Sequence, residues 1–144
     1  MTNLRFVAYL RNYISPYVPL DPQRFKRALE YMRDKDERVL RATTVTLVID
    51  YPLSVEYREE LRACSGVFTR LELCLAVARA YERIYKEEED TASHTGRPLP
   101  GALLLNRRDT DGRWGIRGHD LSDLLLYTIA FDPAKNELSV GVDS

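Results

Sequence analysis

Leu124-Leu125-Leu126-Tyr127-Thr128-Ile129-Ala130-Phe131, the turn Asp132-Pro133-Ala134-Lys135-Asn136, and then Leu138, Val140 and Val142 at every second position: this C-terminal stretch decides the fold. Aromatic and β-branched residues on either side of a proline-containing turn predict an antiparallel β-hairpin over 124–142. A hairpin alone is marginal in water and needs a cover for its apolar face. The cover stands upstream. Thr69-Arg70-Leu71-Glu72 is a capping box, Phe68 and Leu73 are spaced as a hydrophobic staple, and a helix follows over 69–90. Leu71, Cys74, Leu75, Ala78, Tyr81 and Tyr85 make one side of it apolar, and Leu73, Val77, Ala80 and Ile84 the other, so it should pack between elements. Its end, Glu87-Glu88-Glu89-Asp90, opposes the helix dipole and reads as a frayed, hydrated tail.

Further upstream, Val45, Leu47, Ile49, Tyr51 and Leu53 alternate with Thr44, Thr46, Val48 and Asp50, predicting a strand from Thr43 that Pro52 limits. Residues 54–62 fit either a strand or a short helix capped by Ser54. Asp21 as N-cap and Pro22 as first helical residue announce a helix whose inner side is Phe25, Ala28, Leu29 and Met32. The run Asp34-Lys35-Asp36-Glu37-Arg38 is a charged break or continuation. At the N-terminus, Phe6, Tyr9, Leu10, Tyr13 and Tyr17 recur at three- and four-residue spacing, predicting an amphipathic helix over Asn3 to Ile14 that Ser15-Pro16 stops. Thr91 to Gly101 is a loop, Leu103-Leu104-Leu105 a short buried strand, and Asp109-Thr110-Asp111-Gly112 a turn. The fold class is therefore α+β: an antiparallel sheet with a C-terminal hairpin packed on a long central helix, plus N-terminal helices. Residues 1–144 make one domain, with 1–20 a candidate arm and 21–144 the core.

The chain has 144 residues, 44% hydrophobic and 30% charged, which excludes a disordered composition. No apolar run is long enough to cross a bilayer, and the first residues have no secretory pattern, so a cytoplasmic protein with no membrane partner is expected. Cys64 and Cys74 are too few for a disulfide framework and fit no metal spacing. The net charge is −1, although residues 1–41 carry nine Lys/Arg against five Asp/Glu. A pI near 6.1 and interleaved acids make nucleic-acid binding through that basic third an unfavourable reading.

Only residues 106–123 concentrate chemistry-bearing side chains. They include Asn106, Arg107, Arg108, Trp114, Arg117, His119, Asp120 and Asp123, among three glycines. His119 with Asp123 is the candidate catalytic pair, a base and the carboxylate that orients it. Arg107, Arg117, Trp114 and Asp120 are the candidate ligand-binding residues. The His119-Asp120 pair is similar to that of the HD phosphohydrolases, but those are helical and require a further histidine upstream. Only His94 could serve upstream, and the β pattern around His119 contradicts a helical fold. No metal or cofactor is implied, and no nucleophile elbow or phosphate loop is present. The competing reading makes His119 and Asp120 caps of a tight glycine turn, with Trp114 packed on the hairpin.

The string from Gly112 to Leu124, with Leu104-Leu105-Asn106-Arg107 before it and the capped helix ending near Ile84-Tyr85, resembles uncharacterised small proteins of plants and large DNA viruses. That resemblance implies no activity. It implies that the helix and terminal hairpin form one unit. The leading expectation is a non-enzymatic interaction or structural protein, self-associating or docking a partner protein through the Tyr9, Tyr13 and Tyr17 face. A small-molecule or anion-binding enzyme around His119 is the alternative.

Overall fold

Strand β6, Thr44–Ile49, buries Val45, Leu47 and Ile49 and leaves the intervening residues half-buried, which is the two-residue alternation of a strand with one face in the core. The computed structural model describes residues 2–5, 8–10, 13–93 and 109–144, with side chains from Pro16 onward. Of the loop predicted from Thr91 to Gly101, Thr91 ends a helix, and residues 94–101, like the strand predicted at 103–105, lie outside the described residues.

The C-terminal hairpin forms as its alternation requires. β9, Leu125–Asp132, pairs antiparallel with β10, Glu137–Asp143, from Glu137↔Asp132 to Asp143↔Leu125, with a bulge between Gly141 and Val142. Asn136 closes the turn in the left-handed region, at φ 53, and its side-chain amide donates to the Thr44 carbonyl at 2.8 Å. That contact ties the hairpin to β6. Within residues 54–62 the strand alternative holds for Tyr57–Arg62, which forms β7 and pairs antiparallel with β6, while 54–56 belong to the connection before it. The sheet departs from the expected all-antiparallel form at one seam, because β10 runs parallel to β6 at Glu137↔Thr46 and Ser139↔Val48. Parallel neighbours need a long crossover, and here a helix forms part of it.

That helix is α2, Arg70–Thr91. The capping box is complete: Glu72 N–H donates to Thr69 Oγ1 at 3.1 Å, and Thr69 N–H to Glu72 Oε1 at 3.2 Å. Leu73, Cys74, Val77, Ala80, Tyr81 and Ile84 are all within 1% of full burial and share one core with Val45, Leu47, Ile49, Leu126, Ile129 and Leu138. Each large aliphatic side chain contributes about 2 kcal/mol by leaving water, so packing outweighs the few tenths set against the helix by its acidic end. The helix over Pro22–Glu30, α1, buries Phe25 and Ala28 as expected. Asp21 contributes its backbone carbonyl to Phe25 N–H, and its side chain makes no capping bond. The charged run before Arg38 is a turn that leads into a strand. β5, Arg38–Arg41, pairs with β8, Val67–Thr69, in a separate two-stranded ribbon.

The N-terminal helix predicted over Asn3 to Ile14 is the principal correction. This segment forms β1, Thr2–Arg5, β2, Ala8–Leu10, and β3, Tyr13–Ser15. β1 pairs with β9 from Thr2↔Phe131 to Arg5↔Thr128, β4 (Val18–Pro19) pairs with β9 at Leu126 and Leu125, and β2 and β3 form their own hairpin. The reason is tertiary. The segment is rich in Phe, Val, Tyr and Ile, and the outer edge of β9 offers unpaired backbone groups that a helix could not satisfy. Tyr9 and Tyr13 now stand on two paired strands, Tyr9 opposite Ile14 and Tyr13 opposite Leu10, so the helical face expected of Tyr9, Tyr13 and Tyr17 does not form. The five-strand path of the sheet is β1-β9-β10-β6-β7, with β4 beside β1 on β9. Among the described residues no helix is long and apolar enough to cross a membrane.

Candidate functional site

The chemistry-rich segment is held by a residue that its own sequence does not contain. Glu88, on the last turns of α2, is 2% exposed and is the one buried charged side chain among the described residues. Its Oε1 accepts from Trp114 N–H at 2.7 Å and Gly115 N–H at 3.2 Å. Its Oε2 accepts from Gly112 N–H at 2.8 Å and the Thr110 hydroxyl at 2.5 Å. Burial alone would raise the Glu88 pKa. The Thr110 hydroxyl and the amides of Trp114, Gly112 and Gly115 more than offset it, holding the carboxyl below its ordinary value of 4.5. A carboxylate so fully used is an anchor rather than a base.

Its neighbours extend the anchorage. Glu87 Oε2 accepts from the Trp114 indole N–H at 2.9 Å and from Arg113 at 3.2 Å, and Thr91 Oγ1 accepts from Arg113 N–H at 2.8 Å. Ser93 donates both its amide, at 2.8 Å, and its hydroxyl to Asp111. On the other side the segment is laced to the β6–β7 connection. Ser54 N–H reaches the Gly115 carbonyl at 2.8 Å, Val55 N–H the Trp114 carbonyl at 3.2 Å, and Arg117 N–H the Pro52 carbonyl at 2.8 Å. Gly115 sits at φ +58, and a Cβ there would stand 2.8 Å from Ser54 Cβ, so this close approach requires glycine.

The predicted acidic tail is therefore corrected. Glu87 and Glu88 do not fray into solvent, because amides folded against the helix end supply better hydrogen bonds than water does in a buried place.

The predicted site residues fall as follows. Trp114 is buried and packs its ring 5.2 Å from that of Tyr57, on the β6–β7 hairpin rather than the C-terminal one. His119 is half-buried. Its ring lies 5.9 Å from Tyr51, its Nε2 is 3.5 Å from Ser144 Oγ, and its carbonyl accepts from the Tyr85 hydroxyl at 2.8 Å. Ser144 Oγ also meets the Tyr51 hydroxyl at 2.7 Å. Asp123 accepts from Asp120 N–H at 3.2 Å, closing the 3-10 turn Leu121–Asp123. Arg117 is exposed. Arg107 lies outside the described residues, as does His94.

His119 is thus brought to Tyr51 and Ser144, Trp114 to Glu87 and Tyr57, and Asp123 to the Asp120 backbone. Sequence reasoning missed Glu88, Thr91, Ser93 and Thr110. The available signal was the placement of acids at the end of a helix where the dipole disfavours them.

Among the described residues no three His, Cys, Asp or Glu side chains are placed to hold a metal. Cys74 is buried and its thiol is pushed up by that burial, which disfavours a reactive thiolate. No protein-family model, curated protein or solved structure matches the chain.

Proposed function

We propose that this chain is a non-enzymatic interaction protein that self-associates through the β2–β3 hairpin. The observation that carries this reading is the register along β9. β1 runs along the β9 edge to Thr128 and β4 resumes it at Leu126, so Tyr127 alone separates the two. The chain between them, residues 6–17, is an excursion from what would otherwise be one continuous edge strand. A hairpin inserted there is not needed to pair that edge. Its composition, with Tyr9, Leu10, Tyr13 and Ile14, is the kind that interfaces favour. At its base Tyr17 meets Tyr127 edge-to-face at 6.3 Å, and Tyr127 is 42% exposed, so a partly exposed aromatic pair stands where the arm leaves the sheet.

The experiment removes the excursion and keeps the edge. Replacing residues 6–17 by one glycine joins Arg5 to Val18 opposite Tyr127. The expected result is a retained far-ultraviolet spectrum and cooperative melt, with a mass in light scattering reduced to that of one chain. A parent protein that is monomeric at every concentration, or a mass unchanged by the excision, rejects the reading.

A further inference from the structure

The groove between β7 and α2 has the geometry of a strand-addition site. We infer that it binds an extended acidic peptide, added as a further strand along the β7 edge; this rests on the reading of the chain as an interaction protein. The groove holds about 360 Å³ and is lined on one side by four successive residues of β7, Glu59, Glu60, Leu61 and Arg62. Successive residues of a strand point to opposite faces. A groove that touches all four must therefore run along the strand's edge, where backbone N–H and C=O groups point outward. Among the described residues β7 is the last strand on that side of the sheet.

The opposite wall is one stripe of α2. Glu72, Arg79 and Arg83, with the adjacent pair Leu75 and Ala76 between the first two, are linked by steps of three and four residues, so they share one side of the helix. Leu75 and Ala76, with Phe68, supply an apolar patch for one side chain of an incoming strand. An edge strand beside a helix, with an apolar patch between them, is how many domains read extended peptides: the backbone gives affinity and alternate side chains give specificity.

The charges select the partner. Glu59 accepts from Arg83 at 3.2 Å and from the Tyr57 hydroxyl at 2.5 Å, Glu60 pairs with Arg62 at 3.2 Å, and Glu72 serves the capping box. Arg79 has no hydrogen bond or ion pair among the described residues. Its exposed guanidinium is the groove's uncommitted charge. A carboxylate two residues from the apolar anchor of the peptide would meet it, since alternate residues of a strand face the same way. The charged residues of β7 meanwhile discourage indiscriminate edge pairing.

The probe is a fluorescein-labelled hexapeptide, Val-Thr-Glu-Thr-Val-Thr, and its counterpart with lysine for glutamate, titrated into the full chain by anisotropy. The expected result is saturable binding of the glutamate peptide and at least about tenfold weaker binding of the lysine peptide. Arg79→Glu should reverse that preference, and Ala76→Trp, which fills the groove, should abolish both. Amide shifts on binding should centre on residues 59–62.

Absence of saturation, equal affinity for the two peptides, or indifference to Arg79→Glu overturns the inference. If Ala76→Trp instead lowers the mass of the protein alone, the groove is filled by a second copy and the peptide assignment falls. The hairpin-excised chain should bind the peptide unchanged, so failure of the arm and failure of the groove are distinguishable.

Discussion

The two ends of α2 use the same side chain for opposite purposes. At the start, Glu72 reaches back to the amide three residues before it, and the remaining first-turn amides are served nearby, Arg70 N–H by the Glu37 carbonyl and Leu71 N–H by the Lys35 carbonyl, each at 2.9 Å. There the negative charge agrees with the dipole. At the finish, Glu88 collects four donors from a turn lying 22 to 27 residues further along the chain, and its charge opposes the dipole. Magnitudes decide why the second arrangement persists. An unfavourable terminal charge costs about 0.3–1 kcal/mol, whereas a hydrogen bond to a charged group contributes about 1.5–3 kcal/mol. The first end makes a helix. The second uses the helix to hold something else.

The largest expected effect breaks the distant end. Glu88→Ala removes a charged acceptor and strands the buried amide of Trp114 and the half-buried amide of Gly112, and should cost about 3 kcal/mol in urea unfolding. Because Trp114 is the only tryptophan, its fluorescence should shift with the loss of the turn. A loss below about 1 kcal/mol would mean that the carboxylate does not anchor the segment. The pH dependence sharpens the point. The folded-state pKa of Glu88 lies below its ordinary value of 4.5, so this stabilisation is fully present above about that pH and is lost as pH falls through the folded value. The stability gap between wild type and Glu88→Gln should therefore hold steady above pH 4.5 and narrow below it.

A middle-sized effect tests the turn rather than its anchor. Gly115→Ala imposes a side chain at φ +58 and against Ser54, and should cost about 2 kcal/mol by chemical denaturation. A neutral result would show that the 53–55 and 114–117 segments separate easily. The smallest effect belongs to the near end. Thr69→Ala removes the cap acceptor and should cost about 1 kcal/mol, read as a shift in the unfolding midpoint with unchanged slope. If Thr69→Ala proved costlier than Glu88→Ala, the contrast between the two ends would be reversed.

Legibility followed the same division. The alternation in β6, β9 and β10, the capping box of α2 and the Phe25–Ala28 side of α1 were all readable, because each rests on spacing within a few residues. Asn3 to Ile14 was misread. Its aromatic spacing satisfies a helical period, and only the vacant edge of β9 favours the strand. The ribbon of β5 and β8 was unreadable for a similar reason, since each is a short strand whose sole partner among the described residues is the other. Of the candidate site, the sequence marked the right segment, 106–123, as polar and glycine-rich. It did not mark Glu88, or the edge and stripe that form the β7–α2 groove, because neither is a pattern within one element.

By itself, then, the amino-acid order determined which segments are helix or strand wherever periodicity and capping agree, and that the long helix must be buried on more than one side. Those properties arise from neighbours two to four positions apart, whose relation is set by the local backbone geometry and not by which distant elements pack together. Tertiary structure alone decided that the N-terminal segment pairs with β9, and that an acidic helix end becomes a buried anchor for a distant turn. Both depend on donors and acceptors that meet only after the sheet and helix have packed, and in that dry setting a satisfied hydrogen bond outweighs a local preference.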